Sequence, residues 1–254
     1  MIVAVGGWRG CGATTVALAL ASTWASSHGE AWLVEADPAG GVLSGRVDMD
    51  ARSVGGLERV AFPVDRCLAV DSFYEVAYRL GGLSMVSAPV DPFRAHSCHH
   101  PRVSWVPSLA ELGEFVVVDV GRIRAATVAW DVLSIADVVV VVSSPEVSSV
   151  VSSAEWIHAV GRISPRDPGI DEGVARLCIV ESPGGICFPR ASLLADLGGV
   201  CVGWIPWDPA AVDLLHRGAA VGNRGYRRGG LIPAIGRLGS AVCDAVRPSM
   251  EVTS

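Results

Sequence analysis

The chain has 254 residues, half of them hydrophobic, and a formal net charge of −6. This length allows one α/β domain or two small ones, and the hydrophobic content is ample for a large buried core. The acidic balance opposes non-specific binding to nucleic acid unless a local basic patch exists. All 20 basic residues are arginine, so the chain contains no lysine.

Cysteine usage and the N-terminal segment bear on where the protein works. Seven cysteines are scattered without a CxxC pair, which predicts free thiols in a reducing cytosol. The N-terminus enters a strand-like segment at once, without the basic and apolar regions of a signal peptide. No run of 18 uncharged apolar residues occurs, which argues against a spanning helix. We therefore expect a cytoplasmic protein.

Strands and helices are predicted to alternate along the whole chain. Valine- and isoleucine-rich runs, mostly continuously apolar, predict strands at 2–5, 31–36, 83–89, 115–120, 138–144, 177–182 and 201–207. Helical patterns cover 14–26, 72–80, 108–112, 125–136, 146–160, 190–197, 210–217 and an amphipathic segment at 231–246. The alternation predicts an α/β fold with a single doubly wound, mostly parallel sheet of about seven or eight strands flanked by helices. We expect one domain over 1–247 and a disordered tail over 248–254.

Ligands of such sheets bind outside the carboxyl ends of the strands. That edge would carry the glycine-rich loop near the N-terminus, Asp37, Asp119 and the turns at 143–145 and 206–209. The candidate functional residues are therefore expected to cluster.

The stretch GGWRGCGATT, residues 6–15, has the glycine spacing of a phosphate-binding loop. A glycine-rich turn that opens a helix points free backbone N–H groups at an anion, and the helix dipole adds to the attraction. Glycines also let the backbone approach phosphate oxygens closely. The loop contains Gly6, Gly7, Gly10 and Gly12, with Cys11 between the last two.

Three other positions in the loop bear on its chemistry. Thr14 stands where a hydroxyl would ligate Mg²⁺. Ala13 occupies the position at which the motif requires a lysine. Arg9 could replace that lysine by reaching the phosphates with two donors, or it could be a solvated surface residue, and the sequence favours neither.

Two acidic residues are expected near the loop. Asp37 and Asp119 each end a predicted strand. A carboxylate at such a position can hold a water of Mg²⁺ or orient an attacking water. Either residue alone would be interpreted as the cap of the next turn. Together with the glycine-rich loop they predict a magnesium-dependent site, with Thr14 and Asp119 as candidate metal ligands.

The order of these motifs resembles the ParA/MinD group of P-loop proteins along nearly the full chain. After the loop come ADPAGG at 36–41, VVVDVG at 116–121, IADVVVVVSSPEVSSV at 135–150 and GWIPWDPAAVDLLHRG at 203–218. Within that group the segment GCGATT is similar to the TadZ/CpaE branch, especially its actinobacterial CpaE-like members, whose loop commonly reads Gly-x-Gly-Ala-Ser/Thr-Thr. The resemblance implies that Ala13 is a feature of the branch.

The resemblance also implies roles for individual residues. Asp37 matches the acidic residue of the first switch, and Asp119 matches the Walker B acid. Pro206 and Asp208 match the turn that borders the nucleobase. The phosphate loop is matched by Gly10, Gly12, Ala13, Thr14 and Thr15, and the further candidate cofactor-binding residues of this stretch are Gly7, Arg9 and Cys11.

Three departures from the family pattern affect the expected activity. The signature lysine, which crosses to the partner subunit's nucleotide, falls at Trp8, and the second loop lysine falls at Ala13. The asparagine that reads adenine appears as Glu181. A carboxylate offers only acceptors, so Glu181 would repel adenine N7 and would suit a guanine edge better. The preferred interpretation is weak recognition of the base, or none. If exposed, Trp8 would be a contact residue for a partner or a second subunit.

The function implied by the resemblance is that of a TadZ/CpaE-type positioning or assembly factor for a pilus or secretion system. We expect a homodimer that binds protein components of that machine. ATP or another nucleotide with Mg²⁺ would bind weakly or not at all, and the protein would be a pseudo-ATPase or a very slow ATPase. The alternatives are a slow ATPase switch in chromosome partitioning or septum-site positioning, and a nucleotide-independent structural dimer.

Three further segments are interpreted as ordinary structure. The cluster His96, Cys98, His99 and His100 is metal-capable, but a polar loop is favoured. The arginines of NRGYRRGG, residues 223–230, could contact DNA, although a solvated loop is favoured. Peripheral membrane contact by 231–246 is possible, but packing against the sheet is the preferred interpretation.

Overall fold

Eight strands form one sheet in the computed structural model, which describes residues 1–63, 69–103, 105–125, 127–162, 174–183, 189–219, 221 and 223–246. The strands are β1 (Ile2–Gly7), β2 (Ala31–Glu35), β3 (Tyr78–Leu80), β4 (Leu83–Val86), β5 (Val116–Arg122), β6 (Val138–Ser143), β7 (Ala175–Val180) and β8 (Cys201–Ile205). Their order is β3-β4-β2-β5-β1-β6-β7-β8. All neighbours are parallel except β3 and β4, which are antiparallel. The prediction of a doubly wound, mostly parallel sheet is confirmed.

Helices connect the strands and cover both faces of the sheet. The described helices are α1 (Ala13–His28), α2 (Leu43–Arg46), α3 (Gly56–Ala61), α4 (Ala69–Val76), α5 (Pro92–Ser97), α6 (Trp130–Ile135), α7 (Val147–Arg162), α8 (Arg190–Leu197), α9 (Pro209–His216) and α10 (Leu231–Val246). Short 3₁₀ helices span Val106–Glu111, Gly198–Val200 and Arg224–Arg228. The loop at 164–173 and the tail at 248–254 lie outside the described residues.

Two apolar layers fill the space between the sheet and the helices. Because side chains alternate along a strand, Ile2 and Ala4 of β1 enter one layer, whereas Val3 and Val5 enter the other. Every residue of β1, β2, β4 and β6 is buried, which explains why these strands are almost continuously apolar in sequence. Helix α10 packs its apolar face against α1 and β8, so packing against the core is confirmed for this segment. None of the described helices is long and apolar enough to cross a membrane.

Three predicted helices differ from the structure. The helix predicted at 72–80 ends at Val76, and 78–80 instead form β3, which pairs with β4 as a hairpin. The missed signal was the pair Gly81-Gly82 between the two strands, since Gly81 has a φ of 59°. The helix predicted at 125–136 is only Trp130–Ile135, and the segment predicted at 108–112 belongs to a 3₁₀ helix.

We predict that Gly82→Ala destabilises the protein. A Cβ at this position would overlap the backbone carbonyl oxygen of Gly29, which cannot move without shifting the end of α1. Such overpacking costs about 1–3 kcal/mol of the free energy of unfolding, measured by urea denaturation. The control is Gly199→Ala, where a Cβ would meet nothing within 4 Å and we expect little change. Equal stabilities of the two variants would contradict the close approach of this hairpin to α1.

Candidate functional site

The glycine-rich loop joins β1 to α1 at the middle of the sheet. Gly12 precedes α1 with a φ of 91°, no side chain caps the helix, and its first turn has no acidic residue. A Cβ at Gly10 or Gly12 would meet no atom within 4 Å, so the described residues leave open space on this side of the loop. An uncapped helix start beside such space can receive an anion on its backbone N–H groups.

Cys11 fixes the loop to the sheet. Its thiol Sγ donates a hydrogen bond to the Val142 carbonyl oxygen at 2.9 Å, and its backbone N–H donates to the Arg9 carbonyl oxygen at 2.7 Å. Burial raises the pKa of the Cys11 thiol, so the group remains a donor at neutral pH. The loop therefore holds its shape through its own contacts with β6.

Asp119 lies under the start of α1 and is 1% exposed. Its Oδ1 accepts a hydrogen bond from the Gly121 N–H at 3.0 Å, but no described atom forms a hydrogen bond with the buried Oδ2. Burial raises the pKa of Asp119 to about 6; the nearby Thr14 hydroxyl acts in the opposite direction. A carboxylate oxygen without a partner beside a hydroxyl fits the oxygen ligands that Mg²⁺ prefers. Thr14 and Asp119 thus remain the candidate ligands of one cation.

Asp37 follows β2 and lies against Gly121. Its Oδ1 accepts a hydrogen bond from the Ala39 N–H at 2.8 Å. A Cβ at Gly121, which has a φ of 64°, would overlap the carboxyl group of Asp37. Burial raises the pKa of Asp37, whereas the charge of Arg122 lowers it. The charge of Asp37 also raises the pKa of Asp119, so the two predicted acids are close enough to interact electrostatically.

Glu35 is a site residue that the sequence analysis missed. It is 1% exposed and pairs in register with Asp119 across β2 and β5. Its Oε1 accepts hydrogen bonds from the N–H groups of Val42 at 2.7 Å and Leu43 at 2.8 Å, and its Oε2 accepts from Ala88 at 3.1 Å. Burial and the charge of Asp119 raise the pKa of Glu35 to about 7. The available signal was a single charged residue inside an otherwise apolar strand.

A cleft of about 710 Å³ lies between the loop and the carboxyl ends of β7 and β8. The predicted site residues that line it are Arg9, Gly10, Cys11, Gly12, Thr15, Glu181, Pro206 and Asp208. The predicted residues Gly7, Ala13, Thr14, Asp37 and Asp119 are not among the described residues that line it. The cleft therefore lies beside the loop, whereas the buried acids lie near the start of α1.

Comparisons with known proteins identify this architecture. No protein-family profile and no curated protein sequence matches the chain. Among solved structures, the septum site-determining protein MinD from Pyrococcus horikoshii, complexed with Mg-ADP, has a TM-score of 0.69 and 18% identity over 95% of this chain and 94% of that one. The chain has the ParA/MinD fold.

Two further solved structures share the ParA/MinD fold. A Borrelia burgdorferi protein assigned to plasmid partition, bound to AMPPNP, has a TM-score of 0.66 and 16% identity over 96% of this chain and 98% of that one. The MinC:MinD cell division complex of Aquifex aeolicus contains a chain with a TM-score of 0.62 and 15% identity, covering 96% of both chains. At these identities the likeness establishes the fold and not the activity.

Glu181, predicted to face the nucleobase, is held by two tryptophans. Its Oε1 accepts a hydrogen bond from the Trp204 indole N–H at 2.6 Å, and its Oε2 accepts from the backbone N–H of Trp207 at 3.2 Å. The guanidinium of Arg190 lies over the Trp204 ring, 4.9 Å from its centre. The carboxylate thus links β8 to the turn that follows it, a partnership that the sequence analysis did not predict.

Asp208, in the turn after β8, lines the cleft and holds two helix starts in this ParA/MinD fold. Its Oδ1 caps α9 by accepting from the Ala211 N–H at 3.1 Å, and its Oδ2 accepts from the Leu231 N–H at 3.3 Å. Pro206 lies against Gly230, where a Cβ would approach the proline ring to 2.6 Å. These contacts connect the starts of α9 and α10 to the cleft.

Trp8 is only partly exposed, although its predicted contact with a partner was conditional on exposure. It is half-buried and packs against the apolar layer that contains Ile2 and Ala4, whereas Arg9 is exposed. Trp8 therefore contributes to the core, and Arg9 is the exposed cation of the loop.

Two other candidate segments show ordinary structural contacts. Among the described residues, no group of three or more His, Cys, Asp or Glu side chains is arranged to hold a metal ion. Cys98 is buried and donates from Sγ to the Arg94 carbonyl oxygen, and burial raises its pKa to about 12. In the arginine-rich segment, Tyr226 is buried and Arg224 is exposed. The side chains of 227 and 228 lie outside the described residues.

We predict that Glu181→Ala lowers the free energy of unfolding by about 1–3 kcal/mol. The substitution leaves the largely buried Trp204 indole N–H without an acceptor, and hydrogen bonds to charged groups contribute at this level. Urea denaturation followed by tryptophan fluorescence measures the change. The control is Glu155→Ala on the exposed surface of α7, for which we expect almost no change. If both variants matched the unmodified protein, Glu181 would have no structural role.

Proposed function

We propose that this protein is a ParA/MinD-like nucleotide-binding protein that binds a nucleoside diphosphate or triphosphate with Mg²⁺ weakly and hydrolyses the triphosphate slowly or not at all. The observation that supports this is the uncapped start of α1, open at Gly10 and Gly12, above the partnerless Oδ2 of Asp119. We assign the site to a single P-loop domain over 1–247.

Phosphate binding would rest on the backbone. The free N–H groups and the dipole of α1 attract an anion whether or not a lysine is present. A loop lysine adds a charge-assisted hydrogen bond worth about 1.5–3 kcal/mol. Because it also neutralises charge that develops as the terminal phosphate leaves, its absence reduces hydrolysis more than binding. Ala13 is 9% exposed and supplies no charge.

The acidic residues would complete the site. Thr14 and Asp119 would hold Mg²⁺, which neutralises phosphate charge when bound. Asp37, anchored to the Ala39 N–H, would orient a water. In the cleft, Glu181 offers no amide donor and is tied to two tryptophans, which supports weak discrimination between adenine and guanine.

For the cellular role, we propose a cytoplasmic TadZ/CpaE-type positioning or assembly factor for a pilus or secretion system. The segment GCGATT with Ala13 supports this branch by resemblance. A homodimer that binds protein partners fits the role, and among similar structures MinD of Aquifex aeolicus is complexed with MinC. The exposed Val90 and Phe93, next to the Gly40 turn, offer apolar surface for such contacts.

A slow ATPase switch in partitioning or septum positioning is the second candidate. The juxtaposition of Asp37, Asp119 and Thr14 favours it, because these groups suffice to position Mg²⁺ and a water if a cation compensates for Ala13. The rate of ATP hydrolysis distinguishes this candidate from the assembly factor, since a cycling switch requires measurable, regulated turnover.

We predict that Ala13→Lys tightens the binding of Mg-ADP about tenfold or more, measured by isothermal titration calorimetry. The added ammonium would lie at the start of α1, where the phosphates are expected. We expect the unmodified protein to bind in the micromolar range or more weakly, with ATP turnover near background. Hydrolysis should recover only partly in the variant, because the position of the family's signature lysine is still occupied by Trp8.

The matched control is Ala51→Lys, which adds the same charge on an exposed turn. Equal affinities of the two lysine variants would contradict a phosphate site at the loop. Brisk hydrolysis of ATP by the unmodified protein would favour the ATPase switch. The absence of any nucleotide binding by all three proteins would leave a nucleotide-independent structural dimer.

A further inference from the structure

The structure brings an arginine from a distant segment to the start of α1. Arg46 ends α2, and its Nη1 donates a hydrogen bond to the Thr15 hydroxyl Oγ1 at 3.3 Å. Thr15 belongs to the first turn of α1, two residues from Ala13. A cation is thus held at the loop although the motif position itself has none.

Glu35 fixes the segment that carries this arginine. Its buried Oε1 accepts hydrogen bonds from the N–H groups of Val42 and Leu43, at the start of α2. Leu43 is fully buried, and the Val47 N–H donates to the Leu43 carbonyl oxygen at 2.9 Å. The short helix is therefore anchored to the core at its start, and Arg46 is its last residue, one turn later.

The charge of Arg46 acts on both sides of the loop. Burial raises the pKa of Asp119 and lowers the pKa of His216, which lines the cleft; the charge of Arg46 opposes the first shift and adds to the second. Arg46 is half-buried, and no described carboxylate lies within ion-pair distance of it. A guanidinium has five N–H donors, and the Thr15 hydroxyl engages one nitrogen. The remaining donors suit a multiply charged anion.

Two other described arginines near the loop are placed differently. Arg9 is exposed and has no hydrogen-bond partner for its guanidinium among the described residues. Arg122 is exposed and lowers the pKa of Asp37. Arg46 alone among these three described residues is held against α1 by a side-chain hydrogen bond.

We propose that Arg46 is the phosphate-binding cation of this site and supplies from α2 the charge that the motif otherwise supplies from position 13. The inference rests on the proposed nucleotide binding and adds to it the residue that recognises the phosphates. A guanidinium can bind two phosphate oxygens at once, so an arginine beside the helix start can compensate for the missing lysine. The ligand class is a nucleoside diphosphate or triphosphate, recognised through its phosphates.

The test is calorimetric titration of the full chain with Mg-ADP and, separately, with inorganic tripolyphosphate. We expect Arg46→Ala to weaken the binding of both probes about 10- to 100-fold. Arg46→Lys should lose less, because it keeps the charge. Arg46→Gln can keep a donor toward Thr15 without the charge, so we expect it to bind as weakly as Arg46→Ala. The control Arg52→Ala removes an exposed arginine and should bind like the unmodified protein.

The outcomes separate this inference from the proposed function. If the unmodified protein binds Mg-ADP and Arg46→Ala binds it equally well, the role of Arg46 is overturned and nucleotide binding stands. If Arg46→Gln binds Mg-ADP as tightly as the unmodified protein does, the charge of Arg46 does not contribute to binding, and the inference is likewise overturned. If the unmodified protein binds neither probe, both the inference and the proposed function fail. Urea denaturation of each variant verifies folding, and Arg46→Lys and Arg46→Gln decide the matter if Arg46→Ala does not fold.

Discussion

Three backbone N–H groups donate to the buried carboxylate of Glu35, and the geometry of the site depends on these hydrogen bonds. A carboxylate taken out of water is stable only if its oxygens are satisfied, so the segments after β2 and β4 must remain close to it. The segment after β2 carries Asp37 and leads into α2. Glu35 thereby sets the position of two groups at the loop, the acid of Asp37 and the guanidinium of Arg46.

The site divides into two parts that meet at the start of α1. Thr14, Asp37 and Asp119 form an oxygen-rich part suited to Mg²⁺ and a water, whereas the cleft toward β7 and β8 offers volume and few cations. Under the proposed function, the backbone N–H groups between these parts and the guanidinium of Arg46 would bind the phosphates, whereas hydrolysis requires further positive charge at the departing phosphate. In the proposed function, the absence of lysine from the loop would slow turnover more than it weakens binding, which would suit an assembly factor that acts in its nucleotide-bound state.

The sequence predicts the sheet well because most strands are buried on both faces and are continuously apolar, as in β1 and β6. It does not reveal β3, since three residues before Gly81-Gly82 continue a helical pattern until the hairpin pairs them. The sequence marks Glu35 only as a single charge in an apolar strand. Its bonds to Val42 and Leu43, and the bond of Arg46 to Thr15, form only when the segment after β2 folds back onto the site. Glu181 finds its partners 23 and 26 residues away in Trp204 and Trp207, a distance over which spacing carries no information.

Amide hydrogen exchange of the unmodified protein, followed by mass spectrometry with and without saturating Mg-ADP, tests most directly whether the loop is a phosphate site. We expect the amides of 9–16 to exchange more slowly when Mg-ADP is present, because the phosphates would accept hydrogen bonds from the free N–H groups at the start of α1. Peptides from the hairpin of β3 and β4, on the edge of the sheet, should be unchanged. Unchanged exchange over 9–16, or protection confined to another part of the chain, would contradict the account.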